Sequence, residues 1–356
     1  MLVDEKKPTF IRPVTGMQVA SAAQVSRATV SIVMNGQAEA RKLKPETVRR
    51  VLQAAEELHY VPDQNALSLH RRHTGVVGLV LLNLKMDWVH LLMQGITEVF
   101  DESGHTAFLA THDYNPERNH RELKLALSRR NDAVIAYPVA GSEELYRRYR
   151  KAGVPLVLLE DFPEGSTEFD AVVWDAYAAA RRAVEHLIAT GRRRIAFIGF
   201  DWPMHHHNQR YQAYLDAMNE AGLKVREDWI WNPPLDTNGS TSIDRALDRF
   251  FTGKKGCPDA IFAVNDGLAL PVLAALEERG MRLPEDIALI GMSDLPMDRF
   301  PGIGLSSVRE PLYEMGVAAA RRVLQLIENP RLQPMVIEIS QAEVASRRTS
   351  CQSNRN

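Results

Sequence analysis

The stretch QVSRATVSIVMNG, Gln24 to Gly36, holds the side chains whose types and spacing point most directly to chemistry. Its apolar residues keep helical spacing, while its polar side carries short hydroxyls (Ser26, Thr29, Ser31) and a single cation, Arg27. A solvated helix face usually carries long Glu and Lys side chains, which lose little rotamer freedom. Short residues suit a different neighbour. They let the backbone approach a polyanion, their hydroxyls donate to phosphate oxygens, and one guanidinium grips a guanine edge through two hydrogen bonds. The plain alternative is an amphipathic helix in a small bundle.

Other reactive side chains assemble less well. His205, His206 and His207 are consecutive, and adjacent histidines do not point at one centre; no Cys or carboxylate cluster completes a metal site. Cys257 and Cys351 make neither a disulfide framework nor a zinc ligand set. The chain has no Gly-x-Gly-x-x-Gly after a strand, no Walker A sequence and no Gly-x-Ser-x-Gly elbow. Nothing pairs a nucleophile with a base. An enzyme is therefore not expected, and no catalytic residue, metal or cofactor is assigned.

Elements must position that helix. Thr15 is placed to cap a helix running to about Ala22, Ala23-Gln24-Val25 reads as a tight turn, and Ser26 caps the second helix, which Asn35-Gly36 stops. A third helix starts at Pro45 and Glu46, with Val48, Leu52, Ala55 and Leu58 on one face and Pro62 as its end. From Gly75 onward, apolar runs such as VVGLVLL, DAVIAY, PLVLLE, RIAFIGF and IALIGM alternate with amphipathic helices. Runs apolar throughout indicate strands covered on both faces, hence parallel α/β sheets. Some 280 residues exceed what one such sheet needs, so two similar lobes are expected.

Composition agrees: 45% apolar and 25% charged residues suit a globular protein. Residues 1–73 hold 11 Lys/Arg against 7 Asp/Glu and the remainder 32 against 38, a basic head on an acidic body. Only the head is then expected to meet a polyanion. The longest apolar runs are strand-length, so no membrane span is expected; the opening residues lack a signal-peptide pattern, and a cytoplasmic setting is expected.

The stretches MQVASAAQVSRATVSIVMNG and ETVRRVLQAAEELHYVPDQNALSLHRRHTGVVGLV together resemble the head of a LacI/GalR-family transcriptional regulator. The likeness continues through HLIATGRRRIAFIGF, RYQAYLDAMNEAGL, PDAIFAVNDGLALPVLAALEERGMRLPEDIALIGMSD and LSSVREPLYEMGVAAARRVLQLIEN, in family order over almost the whole chain. The resemblance implies an all-α helix-turn-helix head over 1–62 (its start, 1–13, disordered), a hinge helix over 63–73, and a two-lobed α/β core like a periplasmic binding protein over 74–346, with a disordered tail at 347–356. The lobes would comprise 74–174 with 307–329, and 175–306 with 330–346.

By the same resemblance, Arg27 and Ala28 read bases, with Ile32 at a third base-reading position that is commonly Arg; Ser26, Thr29, Ser31 and Asn35 touch phosphate. Thr15 and Asn65 join the DNA-facing set, and Leu69 stands where a leucine wedge enters the minor groove. Gln24 replaces the common turn Gly, implying a non-glycine residue near the left-handed region. The loop GQAEARKLKP is long, and its Arg41, Lys42 and Lys44 are either extra phosphate contacts or a merely solvated surface.

For the cleft, the resemblance implies effector contacts from Arg210, Asn265, Trp88, Glu160, Ser293 and Asp294, with His206 in a loop before Arg210. Asn265 would offer a sugar hydroxyl both donor and acceptor. Asp266 reads as a helix N-terminal carboxylate, and Glu310 stands where Gln is frequent. The function expected is a homodimeric repressor on a pseudo-palindromic double-stranded operator, controlled by a small carbohydrate-like effector. Alternatives are a family member that regulates without a sugar effector, and a solute-binding protein.

Overall fold

A computed structural model describes residues 14–61, 73–163, 166–201, 205–233, 243–252, 256–340 and 342–351, with the side chains of 205–207 outside the description. The chain divides into a unit ending at Thr74 and a second starting at Gly75. Asn65, Leu69 and Pro62 lie outside the described residues.

The head is three helices: α1 (Gly16–Ala22), α2 (Arg27–Met34) and α3 (Pro45–Glu57). Each boundary has a local cause. The Thr15 backbone N–H and hydroxyl both donate to Gln18 Oε1, at 2.8 and 3.0 Å. Ser26 Oγ accepts the Thr29 N–H at 3.1 Å, satisfying one of the orphan donors of α2. Gln24 does sit at φ +53°, and the Val25 N–H reaches back to the Ala20 carbonyl at 3.0 Å, closing α1. Gly36, at φ +70°, closes α2 in the same way.

The third helix differs from its reading in two respects. Its buried residues are Val51, Ala54 and Ala55, packed on Val19, Ala20, Ala23, Val30 and Val33. Leu52, expected inside, is 50% exposed. It lies about 100° around the helix from Val51, off the stripe that the first two helices cover. The helix also stops at Glu57, where His59 takes φ +50° and the Tyr60 N–H bonds the Ala55 carbonyl at 2.8 Å, before any proline is met.

The core holds two six-stranded sheets. The first runs β11-β5-β4-β3-β1-β2, from strands Val336–Ile339, Asp170–Trp174, Leu156–Leu159, Ala133–Ala136, Val76–Leu81 and Thr106–Thr111. The second runs β12-β10-β9-β8-β6-β7, from Glu343–Ala345, Ser306–Arg309, Ala288–Ser293, Ala260–Ala263, Ile195–Ile198 and Ile230–Trp231. All pairings are parallel except β10 with β12. Strands β3, β4, β6, β8 and β9 are buried at every residue, as two-sided cover requires.

Helices cover both sheets: α4 (Val89–Ser103), α5 (Pro116–Ser128), α6 (Glu143–Lys151) and α11 (Leu312–Glu328) on the first, and α7 (Ala176–Ala189), α8 (His205–Glu220), α9 (Ile243–Phe251) and α10 (Asp266–Glu278) on the second. Helices α4 and α11 touch through glycines. A Cβ on Gly95 would lie 2.2 Å from the Tyr313 carbonyl oxygen, and one on Gly316 would lie 2.2 Å from that of Leu92.

Two expected boundaries move. Strand β11 pairs with β5, so 336–339 belongs to the first lobe rather than the second, while Ser307–Arg309 pairs with β9 and stays in the second. The chain thus passes between lobes after β5, after β10 and between β11 and β12. The tail is not disordered through 351. Thr349 is fully buried; its carbonyl accepts the Leu289 N–H and its hydroxyl donates to the Leu289 carbonyl, both at 2.8 Å. Short polar side chains here satisfy sheet backbone instead of water.

Candidate functional site

Two sets of side chains stand out, one in each unit. In the head, Arg27 and Ala28 are exposed in the first turn of α2, while Ser31, Ile32 and Asn35 are half-buried on the same helix. Positions 28, 31, 32 and 35 follow the i, i+3, i+4, i+7 stripe of one helix face. The hydroxyls are partly engaged: Ser26 Oγ and Thr29 Oγ1 lie 2.9 Å apart, and Asn35 Nδ2 donates to Ser31 Oγ at 3.2 Å. Thr15 is exposed at the start of α1. The arrangement is a capped, small-residue face with one long cation at its N-terminal end, where the helix dipole also favours an anion. Arg41, Lys42 and Lys44 are exposed in the loop before α3, with Lys42 at φ +51°.

In the core, a small cavity lies among residues at the carboxyl ends of strands, where α/β sheets place their ligands. Trp88, Glu160, Arg210, Asn265 and Ser293 all line it, as the sequence implied. Met86, Tyr114, Tyr137, Phe200 and Glu310 complete the wall. Its volume is about 20 Å³, space for one water-sized sphere.

Arg210 is the electrostatic centre. It is 4% exposed; Nη1 donates to the Val264 carbonyl at 3.1 Å and Nη2 to Glu310 Oε1 at 3.2 Å. Its guanidinium carbon stands 5.3 Å from the centroid of the Trp174 ring. Its Nε is buried without a hydrogen-bond partner among the described residues. Glu160 follows β4 at φ +65° and is 6% exposed. Burial, then the Glu310 carboxylate, pushes its pKa up to about 8, with Arg210 pulling the other way. Burial also raises Glu310 against the opposing pull of Arg210.

Aromatic rings build the opposite wall. Tyr137 packs edge-on to Tyr114 at 5.9 Å and tilted to Trp88 at 6.1 Å. Burial raises both tyrosines well above their ordinary value. His112 lies behind them with its pKa lowered to about 4, chiefly by burial, and its Nδ1 accepts the Tyr114 backbone N–H at 3.2 Å. At neutral pH it is uncharged.

Other expected contacts do not assemble here. Asp294 is spent on ion pairs with Arg299, at 3.0 Å, and with Arg347, and its N–H donates to Ser307 Oγ; it does not line the cavity. Asn265 Oδ1 caps α10 by accepting the Leu268 N–H at 2.8 Å, so the amide faces a ligand chiefly as a donor. Asp266 opens α10 as the helix N-terminal carboxyl that the sequence implied, wholly buried there, bonded by Ser307 Oγ at 2.8 Å and raised in pKa first by burial, then by Asp298. His206 lies in the first turn of α8, not in a loop, and its side chain is outside the described residues. Tyr114, Tyr137 and Phe200 were missed as candidates, though each sits just past a strand-like apolar run, which was a signal available in the sequence.

Comparisons with known proteins now bear on these surfaces. The family described as "Bacterial regulatory proteins, lacI family" matches residues 17–63, and "Periplasmic binding protein-like domain" matches residues 184–350. Catabolite control protein A of Priestia megaterium is 28% identical over 92% of this chain and 96% of its own length. The HTH-type transcriptional repressor PurR of Escherichia coli O1:K1 / APEC is 29% identical over 90% of this chain and 92% of its own. Among solved structures, the transcriptional regulator CelR in complex with cellobiose aligns at a TM-score of 0.68 and 28% identity, covering 95% of this chain and 100% of that one. The lac repressor dimer bound to operator and the anti-inducer ONPF aligns at 0.79 and 21% identity, covering 95% and 99%, and speaks for the fold. No helix among the described residues is long and apolar enough to cross a membrane.

Proposed function

The chain belongs to the LacI family of bacterial regulatory proteins, and on that premise we propose that it is a homodimeric repressor whose affinity for a pseudo-palindromic operator is set by a small effector held in the core cleft. As a family member it is a DNA-binding transcriptional regulator, not an enzyme.

The observation that carries the DNA half is the face of α2. Arg27 and Ala28 stand exposed in its first turn, fixed by the Ser26 cap and the left-handed Gln24 turn. In a helix-turn-helix those first residues meet base edges in the major groove. Arg27 pairs bidentately with a guanine, Ile32 reads a thymine methyl, and Ser26, Thr29, Ser31, Asn35 and Thr15 hold phosphates. Asn65 and Leu69 act from the hinge segment, Leu69 as an apolar wedge. Two such heads in a dimer span half-sites about 34 Å apart.

The cleft supports the control half. A 20 Å³ cavity between the strand ends of two lobes is too small for any sugar, so an effector enters only when the lobes separate. Trp88, Glu160, Arg210, Asn265 and Ser293, with His206 at the start of α8, then meet it. CelR, whose structure holds cellobiose, is the relative that favours a carbohydrate-like effector. Changing lobe closure changes DNA affinity, and DNA must change effector affinity by the same factor. The test is selection from a random duplex pool at several salt concentrations. The expected result is enrichment of an inverted repeat with a steep salt slope. No enrichment at any salt would refute the reading.

A further inference from the structure

The loop between α2 and α3 is an ordered element, and the recognition face does not use its basic side chains. From Gln37 the chain makes one more hydrogen-bonded turn. The Arg41 N–H reaches the Gln37 carbonyl at 3.0 Å, the Lys42 N–H that of Glu39 at 2.9 Å, and the Leu43 N–H that of Ala38 at 2.9 Å. The last two bonds, with Lys42 at φ +51°, are the closure of a helix end. Ala38 and Leu43 pack on the head core and anchor the turn. Lys44 then leads into α3 as its N-cap.

The turn holds its cations in water. Arg41, Lys42 and Lys44 are exposed, and none has an ion-pair partner among the described residues, although the exposed Glu39 and Glu46 belong to the same stretch. A left-handed lysine carries strain that glycine, the usual residue of such a closure, would avoid. Where such strain is kept, the side chain itself becomes a candidate for function.

Position supplies the partner. Helix α2 has eight residues, so it rises about 12 Å, and the major groove is also about 12 Å wide. With the Arg27 end at the base edges, the turn beyond Asn35 stands over the phosphate strand that borders the groove. Resting on the operator reading above, we propose that Arg41, Lys42 and Lys44 form a backbone clamp. The clamp binds DNA phosphates flanking each half-site and adds affinity without reading sequence. Each contact releases counterions, so affinity and salt dependence rise together.

The experiment compares the full chain with the double variant Arg41→Ala/Lys42→Gly; Lys44 is left in place because it caps α3. The probe is the operator duplex selected from the random pool, carrying one helical turn of flanking sequence on each side or none, from about 50 to 200 mM salt. Wild-type protein should bind the flanked duplex at least about tenfold tighter than the trimmed one. The variant loses about four phosphate contacts per dimer, so its plot of log affinity against log salt should be shallower by about 3 to 4. It should bind flanked and trimmed duplexes alike and keep the wild-type base preferences, unlike Arg27→Ala. Glycine takes φ +51° without strain, so Lys42→Gly alone should hold or raise head stability, which separates lost affinity from lost folding. Arg41→Lys/Lys42→Arg should keep both the slope and the flank preference. A double variant that keeps the wild-type slope, or that changes base preference, overturns the clamp and leaves the operator reading standing. If the pool yields no operator, both fall.

Discussion

The two candidate binding surfaces handle charge in opposite ways. On the head, Arg27 stands in water, flanked by short hydroxyls that bond one another. In the cleft, Arg210, Glu160 and Glu310 are each at most 6% exposed and lean on one another. An exposed cation costs nothing to keep and gains only when a polyanion arrives, so its contribution is screened by salt. Buried groups are held at a standing desolvation cost that their partners must offset, so removing one is felt throughout the fold. An exposed cation of the head such as Arg27 is therefore a residue whose substitution changes binding and spares stability. Substituting a buried charge of the cleft changes both.

The sharpest way to break this contrast is Arg210→Ala. It strands the Glu310 carboxylate that Arg210 pairs, and the expected loss is about 3–5 kcal/mol of core stability by denaturant unfolding. A loss below 1 kcal/mol would mean that the cleft is solvated like the head. Arg27→Ala should leave unfolding unchanged and instead relax preference at one base pair per half-site by about 1–3 kcal/mol, read from competition binding. Ser26→Ala should lower head stability by about 1 kcal/mol in thermal melts, since it removes a helix cap rather than a core contact.

A smaller effect separates the regions by pH. Glu160 has its folded pKa raised to about 8 from 4.5. Its contribution is full below 4.5 and is lost as pH rises through 8. His112, lowered from 6.5 to about 4, acts the other way: its contribution is full above 6.5 and is lost as pH falls through 4. Core melting temperature should therefore fall between pH 6 and pH 9, and Glu160→Gln should flatten that fall. That slope reports the buried acid of the cleft.

The same contrast explains what the sequence revealed. The head was legible because its boundaries are local: Ser26, Gly36 and even the left-handed Gln24 act within a few residues of themselves. Leu52 went astray because four-residue spacing alone does not say which edge of a face the partner helices cover. In the cleft, Arg210 and Glu160 could each be placed by resemblance, but the Arg210–Glu310 pair joins residues 100 apart. Asp294 looked like a ligand contact because its arginine partner, Arg347, lies 53 residues away in a segment that read as disordered. Strand β11 was assigned to the wrong lobe because a four-residue edge strand carries no mark of the sheet that it joins.

The central claim is that cleft occupancy governs operator affinity. The measurement is fluorescence anisotropy of the selected operator duplex, titrated with protein in the absence and presence of a compound that binds the cleft by calorimetry. The account predicts a shift of at least about fivefold in operator affinity. It predicts the reciprocal shift in affinity for the compound when operator is added, and neither shift with Arg210→Ala. Identical operator affinity with and without a cleft-bound compound would contradict it.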